Sequence, residues 1–100
     1  MLIYQNDLEP DLEINLTDDG KVVPLNDATE IRVIGLRRGV EVFNRTATGD
    51  QLGHIVMPFQ AGDTAEVGGI SLEVIVTWAG ARPQTFPITG TVVVRRRRSN

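Results

Sequence analysis

The fold of this chain is decided by one stretch of nine residues, which reads Ile70-Ser71-Leu72-Glu73-Val74-Ile75-Val76-Thr77-Trp78. Apolar side chains stand at every second position from Ile70 to Trp78, and an alternation of period two puts them on one face of an extended strand. Val, Ile and Thr number 12, 8 and 9 in the chain of 100 residues. These β-branched types fit the pleated surface of a sheet. The stretch is therefore predicted to be the clearest β-strand of a chain in which strands dominate.

Similar stretches, separated by turn residues, occur along the rest of the chain at a spacing of about 8 to 12 residues. They are residues 12–17, 21–23, 31–36, 40–45, 54–59, 82–86 and 88–94. Asp18-Asp19-Gly20 supplies a tight hairpin turn because glycine accepts a positive φ. Residues 46–53 are polar and are predicted to form a long exposed loop, and residues 60–69 an ordered connection with room for a helical turn. The pattern predicts an all-β fold, an antiparallel β-sandwich of about seven strands.

Length and composition predict one folded domain. A chain of 100 residues has a usual size for a single domain, and 41% hydrophobic with 23% charged residues is ordinary for a folded protein. Residues 1–94 are assigned to this domain and residues 95–100 to a basic C-terminal tail. No apolar run approaches the roughly 18 residues of a membrane span, and residues 1–4 lead into acidic residues, unlike a signal peptide. We therefore expect a chain that is neither inserted in a membrane nor exported.

The chain has few of the residues on which enzyme chemistry depends. It has no cysteine and one histidine, His54, which excludes thiol catalysis, cysteine-ligated zinc and most triad arrangements. No second histidine or nucleophile motif accompanies His54, so a surface or half-buried position is favoured over a role as general base. Asp18-Asp19-Gly20 lacks the glutamate that closes an EF-hand calcium loop, and a turn is favoured there. The sequence predicts a protein that is not an enzyme and that needs no metal or cofactor.

Charge is divided unevenly along the chain, although the formal net charge is −3. Residues 1–30 carry −7, residues 31–94 carry zero, and the four arginines from 95 to 98 carry +4. Arginine forms planar, bidentate contacts with carboxylates and suits protein interfaces. We expect these arginines to dock on an acidic protein surface, such as residues 1–30 of a neighbouring copy. Nucleic acid is disfavoured because no wider basic face accompanies them. The candidate protein-contact residues are Arg95, Arg96, Arg97, Arg98, Asp7, Glu9 and Asp11.

Several short segments carry a family resemblance through their order along the chain. They are Gln5-Asn6-Asp7-Leu8-Glu9-Pro10-Asp11-Leu12-Glu13-Ile14, Leu16-Thr17-Asp18-Asp19-Gly20, Leu25-Asn26-Asp27-Ala28-Thr29, Gly62-Asp63-Thr64-Ala65 with Gly68 or Gly69, Glu73-Val74-Ile75-Val76-Thr77 and Gln84-Thr85-Phe86-Pro87. With Asp63-Thr64-Ala65 before the penultimate hairpin and Thr85-Phe86-Pro87 just beyond it, the chain resembles a family of bacteriophage immunoglobulin-like modules. These modules are related to the N-terminal domain of the baseplate upper protein of tailed phages.

The resemblance implies an immunoglobulin-like β-sandwich that serves as a structural, non-enzymatic virion protein, in the tail or baseplate of the particle. It implies contacts with other virion structural proteins of the tail, baseplate or capsid, and it is compatible with self-association. Two alternatives stay open at this point. One is a capsid decoration or accessory protein, and the other is a module that binds the host surface through the loop at residues 46–53. The predicted location is the virion, without a cofactor or a membrane partner.

Overall fold

The computed structural model describes residues 1–97, which form β-strands joined by turns. Arg98, the last of the candidate arginines, lies outside the described residues. No helix is present in the described part of the chain, and so none that could cross a membrane. The all-β prediction is confirmed. The strands are β1 (Leu2–Tyr4), β2 (Leu12–Asn15), β3 (Thr17–Asp18), β4 (Lys21–Val22), β5 (Ala28–Arg37), β6 (Val40–Thr46), β7 (Thr48–Gly49), β8 (His54–Met57), β9 (Gly68–Trp78) and β10 (Arg82–Arg95).

The strands form one large sheet, one small sheet and a short hairpin. The large sheet has the order β1-β10-β9-β5-β6, the small sheet has the order β2-β8-β7, and β3 pairs with β4. Val33 and Val74 of the large sheet and Met57 of the small sheet are fully buried in one hydrophobic cluster. The two sheets therefore share a single core, which forms because it removes these apolar side chains from water.

Strand β9 lies between β10 and β5 and confirms the strand predicted at residues 70–78. It is antiparallel to both neighbours. Ile70, Leu72, Val74 and Val76 are buried in the core, whereas Ser71, Glu73 and Ile75 between them are exposed or half-buried. The period of two seen in the sequence is thus the period of burial in the sheet.

One edge of the large sheet differs from the expected antiparallel sandwich, because β1 pairs with β10 in parallel and the sheet is mixed. Leu2 lies opposite Val93, and Ile3 lies opposite Val94. A strand of three residues is too short to show an alternation, and its partner lies at the other end of the chain. No local pattern therefore indicates this pairing. Residues 1–97 also contain more strands than the number expected, because β1 and β7 were not predicted and the strand expected at residues 12–17 is divided between β2 and β3.

Strand β10 is one continuous element of fourteen residues where two strands, at residues 82–86 and 88–94, were expected. A shift of register between Ile88 and Thr91 marks a bulge, which bends the strand without ending it. Pro87 is tolerated because β1 pairs only with residues 93–95, so the side of β10 away from β9 is an open edge at this position. A proline nitrogen, which carries no hydrogen, is acceptable at such an edge.

The first half of the segment at residues 46–53 belongs to strands β6 and β7 and packs against the core, so the prediction of a long exposed loop is wrong there, whereas residues 50–52 form an exposed turn. Ala47 is buried and its N–H donates to the C=O of Ile31 at 2.8 Å. The two residues of β7 that follow pair with β8. Ala47 and Gly49 are small enough for the segment to approach Ile31 closely, since a Cβ on Gly49 would lie 2.6 Å from Ile31 Cδ1. The polar composition of the segment does not indicate this contact.

The domain is elongated, with extents of 50 × 24 × 23 Å. Strand β10 accounts for much of this length, because fourteen residues at about 3.3 Å each span roughly 40 Å. Arg82 and Arg95, the first and last residues of β10, therefore lie far apart. Each of the two ends of this strand borders a cleft.

Candidate protein-contact site

A cleft of about 490 Å³ lies at the C-terminal end of β10, and we call it the basic cleft. The three arginines that line it are exposed to solvent. Four of its five lining residues belong to the candidate contact residues predicted from the sequence. The lining residues are Tyr4, Asp7, Arg95, Arg96 and Arg97.

Pairing of β1 with β10 brings the two ends of the chain together at the basic cleft. Tyr4 lies opposite Arg95 in the parallel register, and the N–H of Gln5 donates to the C=O of Arg95 at 2.8 Å. A turn follows, in which the N–H of Asp7 donates to the C=O of Tyr4 at 3.0 Å. The carboxylate of Asp7 then forms an ion pair with Arg97. The oppositely charged ends of the sequence therefore meet within a single chain.

The connection at residues 60–65 holds the acidic side of the basic cleft in place. Thr64 is buried, its Oγ1 donates to the C=O of Asp7 at 2.9 Å, and its own C=O accepts the N–H of Asn6 at 3.0 Å. Buried polar groups require such partners, because an unpaired one loses its hydrogen bonds to water without replacement. The connection consists of turns and lacks the helical turn for which the sequence left room.

Asp63, next to Thr64, anchors the same connection to β6 through Arg45. The hydrogen bond to the Asp63 carboxylate, with a smaller contribution from its charge, raises the pKa of Arg45 against the opposing effect of burial. Arg45 therefore keeps its positive charge, and the pair is a fixed support for the segment that carries Asp7.

The other candidate contact residues lie outside the lining of the basic cleft. Glu9 is exposed and Asp11 is half-buried, and neither forms an ion pair within residues 1–97. Arg98 belongs to the part of the chain that the structure does not describe. The structure thus groups Asp7 with Arg95, Arg96 and Arg97 and leaves Glu9 and Asp11 out of the group.

The basic cleft has the chemistry of a carboxylate-binding surface. Arg95 and Arg96 make no ion pair with any described residue, so their guanidinium groups are available as planar hydrogen-bond donors. The described residues contain no group of three or more His, Cys, Asp or Glu side chains that could hold a metal ion. His54 lies elsewhere, on the small sheet, with Nε2 3.4 Å from Oε1 of Glu13.

A second cleft, which the sequence analysis did not predict, lies at the other end of β10. Its volume is about 500 Å³, and we call it the Trp78 cleft. The period of residues 70–78 assigns Trp78 to the buried face, yet it is only half-buried because it is the last residue of β9. The tight turn at residues 79–81 indicates that Trp78 and Arg82 lie opposite each other on neighbouring strands. The strand register shows this pairing. No local feature of the sequence indicates that Asp27 also lines this cleft. The lining residues are Asp27, Trp78, Ala79, Arg82, Pro83 and Gln84.

Comparison with known proteins identifies no relative, since no family model, curated protein or solved structure matches this chain. The resemblance to the phage modules therefore stays a prediction from the sequence, and the function is argued from the two clefts.

Proposed function

We propose that this chain is a structural, non-enzymatic module of a tailed-phage particle, in the tail or baseplate, and that it attaches to neighbouring virion subunits through the basic cleft. The phage assignment rests on the sequence resemblance. The attachment rests on one observation, the fixed presentation of Arg95 and Arg96 beside the Asp7–Arg97 ion pair at one end of an elongated domain.

The arginines of the basic cleft are presented by a strand and not by a loose tail. Strand β10 continues to Arg95, one residue past the predicted end of the domain, and β1 covers it there. The Asp7–Arg97 ion pair then holds Arg97, two residues further along the chain, against the domain. A surface whose backbone is already ordered loses less conformational freedom on binding, which favours affinity.

Apolar side chains next to the basic cleft support a protein partner. Leu2, Tyr4 and Val93 are 47%, 46% and 38% exposed. In the register Leu2 lies opposite Val93, and Tyr4 lies opposite Arg95, so the four residues form one patch on the outer face of the large sheet. Tyrosine and arginine are enriched in protein interfaces, and an apolar centre beside charged groups is typical of them.

An acidic surface is the partner that this chemistry fits best. Arg97 is engaged by Asp7, so Arg95 and Arg96 supply the unpaired positive charge. Contacts through two exposed arginines are individually modest, because solvent and salt screen them. Many copies on a symmetric particle would add such contacts together through their effective concentration.

The test is a double variant, Arg95→Ala with Arg96→Ala, placed in a phage that encodes the chain. Fewer copies of the variant than of the unaltered chain should remain on purified particles at low salt. The difference should narrow as the salt concentration rises, because salt screens the arginine contacts that only the unaltered chain makes. Point substitutions are preferable to deleting residues 95–100, because deletion would also remove the C=O of Arg95 that accepts the N–H of Gln5 at 2.8 Å.

Arg82→Ala is the matched control, since Arg82 is an exposed arginine at the far end of β10. It should leave the number of copies per particle unchanged. Equal incorporation of the double variant and the unaltered chain at every salt concentration would contradict attachment through the basic cleft. Purified particles without the chain would contradict a virion role altogether.

Counting copies separately on tails and on emptied capsids distinguishes the tail or baseplate role from that of a capsid decoration or accessory protein. Copies found on capsids alone would favour the second role. A host-surface-binding module is supported by a different observation, the Trp78 cleft, although not through the loop at residues 46–53 that suggested this role in the sequence.

A further inference from the structure

We infer that the Trp78 cleft is a saccharide-binding site that takes one or two rings of a neutral glycan. The inference goes beyond attachment to the particle and uses no residue of the basic cleft. It rests on the aromatic, charged and amide groups that converge at one end of the molecule, and on the size of the space between them.

The composition of the Trp78 cleft suits a sugar ring. The indole of Trp78 offers a flat apolar surface, against which the C–H face of a pyranose can pack. Asp27, Arg82 and Gln84 supply a carboxylate, a guanidinium and an amide, which together offer acceptors and donors to ring hydroxyl groups. A volume of about 500 Å³ is in the range of small-molecule sites, which combine an apolar wall with a few polar groups.

The charges of the cleft favour a ligand without net charge. Asp27 and Arg82 carry opposite charges, and neither forms an ion pair within residues 1–97. An anionic ligand would meet the carboxylate of Asp27, and a cationic ligand would meet the guanidinium of Arg82. A polyhydroxylated neutral ligand can use both groups, since a hydroxyl both donates and accepts hydrogen bonds.

Two local features hold the Trp78 cleft in shape. Nε1 of Trp78 donates to Oε1 of Gln84 at 3.0 Å, which orients the indole and leaves the Gln84 amide nitrogen available as a donor. The turn between β9 and β10 contains two successive residues with positive φ, Gly80 at 81° and Ala81 at 57°. Positive φ values are usual in tight hairpin turns, and this turn places Arg82 opposite Trp78 in the strand register.

The location of the Trp78 cleft also fits recognition of a ligand outside the particle. It adjoins Arg82 at one end of β10, whereas the basic cleft adjoins Arg95 at the other end. A strand of this length separates them by roughly 40 Å. A copy attached through the basic cleft would therefore keep the Trp78 cleft open to a glycan.

The test first applies the full chain to an array of neutral and charged glycans. Neutral methyl glycosides and oligosaccharides that correspond to the bound glycans are then titrated into the chain. Trp78 is the single tryptophan of the chain, so its fluorescence reports directly on a ligand that packs against the indole. We expect neutral glycans to bind and to shift the emission of Trp78. Arg82→Ala and Gln84→Ala should each weaken binding at least about tenfold, the factor that corresponds to about 1.4 kcal/mol.

Arg82 and Gln84 are exposed, so these two variants should keep the fold. Trp78→Ala should abolish binding, but Trp78 also packs against the core, and its thermal unfolding must be measured in parallel. Arg95→Ala, at the far end of β10, is the matched control and should bind glycans as the unaltered chain does.

Three outcomes would overturn the inference. The first is an array without signal, together with unchanged Trp78 emission at millimolar sugar. The second is glycan binding that Arg82→Ala and Gln84→Ala leave intact. The third is binding of a peptide library in the absence of any glycan binding. None of these outcomes depends on incorporation into particles, so the two proposals fail separately.

Discussion

Two nitrogen atoms of Arg45 donate hydrogen bonds to the carboxylate of Asp63. Nη2 of Arg45 lies 2.7 Å from Oδ1 of Asp63, and Nε lies 3.2 Å from Oδ1 and 3.1 Å from Oδ2. Oδ2 also accepts the N–H of Gln60 at 2.8 Å. The Asp63 side chain is 2% exposed and that of Arg45 is 36% exposed, so the carboxylate depends on the protein for its partners. The pair joins β6 to the connection that positions Asp7.

Arg45→Ala should lower the free energy of unfolding by about 3 kcal/mol, because it leaves the Asp63 carboxylate buried with too few partners. Denaturant unfolding of the purified chain measures this change. Glu66→Ala is the control, since it removes the Glu66 carboxylate from an ion pair with Arg37 in which the Glu66 side chain is 80% exposed. It should cost less than about 1 kcal/mol. Equal losses in the two variants would show that the Arg45–Asp63 pair contributes no more to the free energy of unfolding than the exposed pair does.

Ile3→Ala tests which face of β1 packs against the core. Ile3 is 2% exposed, and removing most of its side chain from the core should cost about 2–4 kcal/mol. Leu2→Ala, one position earlier on the exposed face of β1, should change the stability by no more than about 0.5 kcal/mol. Thermal unfolding of both variants gives the comparison. A loss for Leu2→Ala as large as that for Ile3→Ala would contradict the placement of Ile3 in the core and Leu2 on the exposed face of β1.

Gly35→Ala tests the close packing of β5 against β6. A Cβ on Gly35 would lie 2.4 Å from Cε2 of Phe43, whose buried ring makes an edge contact with Phe59 at a centroid distance of 6.1 Å. Displacing that ring should cost about 1–3 kcal/mol. Gly69→Ala, on β9 of the same sheet, meets nothing within 4 Å and should be close to neutral. Calorimetric melting temperatures of the two variants check the difference, and a neutral Gly35→Ala would refute the contact.

Ala81→Gly should stabilise the chain, because Ala81 has a φ of 57° that glycine adopts without steric cost. The expected gain is about 0.5–1 kcal/mol, because the penalty of about 1–2 kcal/mol for a left-handed residue with a side chain is partly offset by the greater conformational entropy of glycine in the unfolded chain. Ala79→Gly, two positions earlier at a residue without positive φ, should instead destabilise the chain by a similar amount. Chemical denaturation measures both changes. Opposite signs for the two variants are the decisive result, and a loss in Ala81→Gly would be inconsistent with the turn.

Much of the fold follows from local pattern, since the alternation of residues 70–78 and of the stretches that pair with it appears as strands in the structure. The hairpin turn also forms where Asp18-Asp19-Gly20 predicts it, with a positive φ at Gly20. These features are local because side-chain direction alternates along any extended backbone, whatever the strand pairs with. The prediction of a long exposed loop at residues 46–53 was wrong for Ala47, which is buried by a contact with β5. The polar composition of the segment does not reveal this contact.

The candidate site was predicted in part. The charge division along the chain selected both Asp7 and Arg97, and the structure pairs them although ninety positions separate them. It did not indicate that they pair within one chain, because that depends on the parallel contact of β1 with β10. The Trp78 cleft was missed for the same kind of reason, since Asp27 reaches it from a connection far from Trp78 in the sequence.

The sequence by itself determined that this protein is built from strands and which residues form most of those strands. It also determined that the two ends of the chain carry opposite charge. Only the tertiary structure decided which strands are neighbours, that the two ends meet at Asp7 and Arg97, and which residues surround Trp78. The physical reason is that strand character depends on the backbone and the nearest side chains, whereas strand order depends on burying all the apolar faces in one core. Contacts between distant residues come from that shared burial, and no local pattern encodes them.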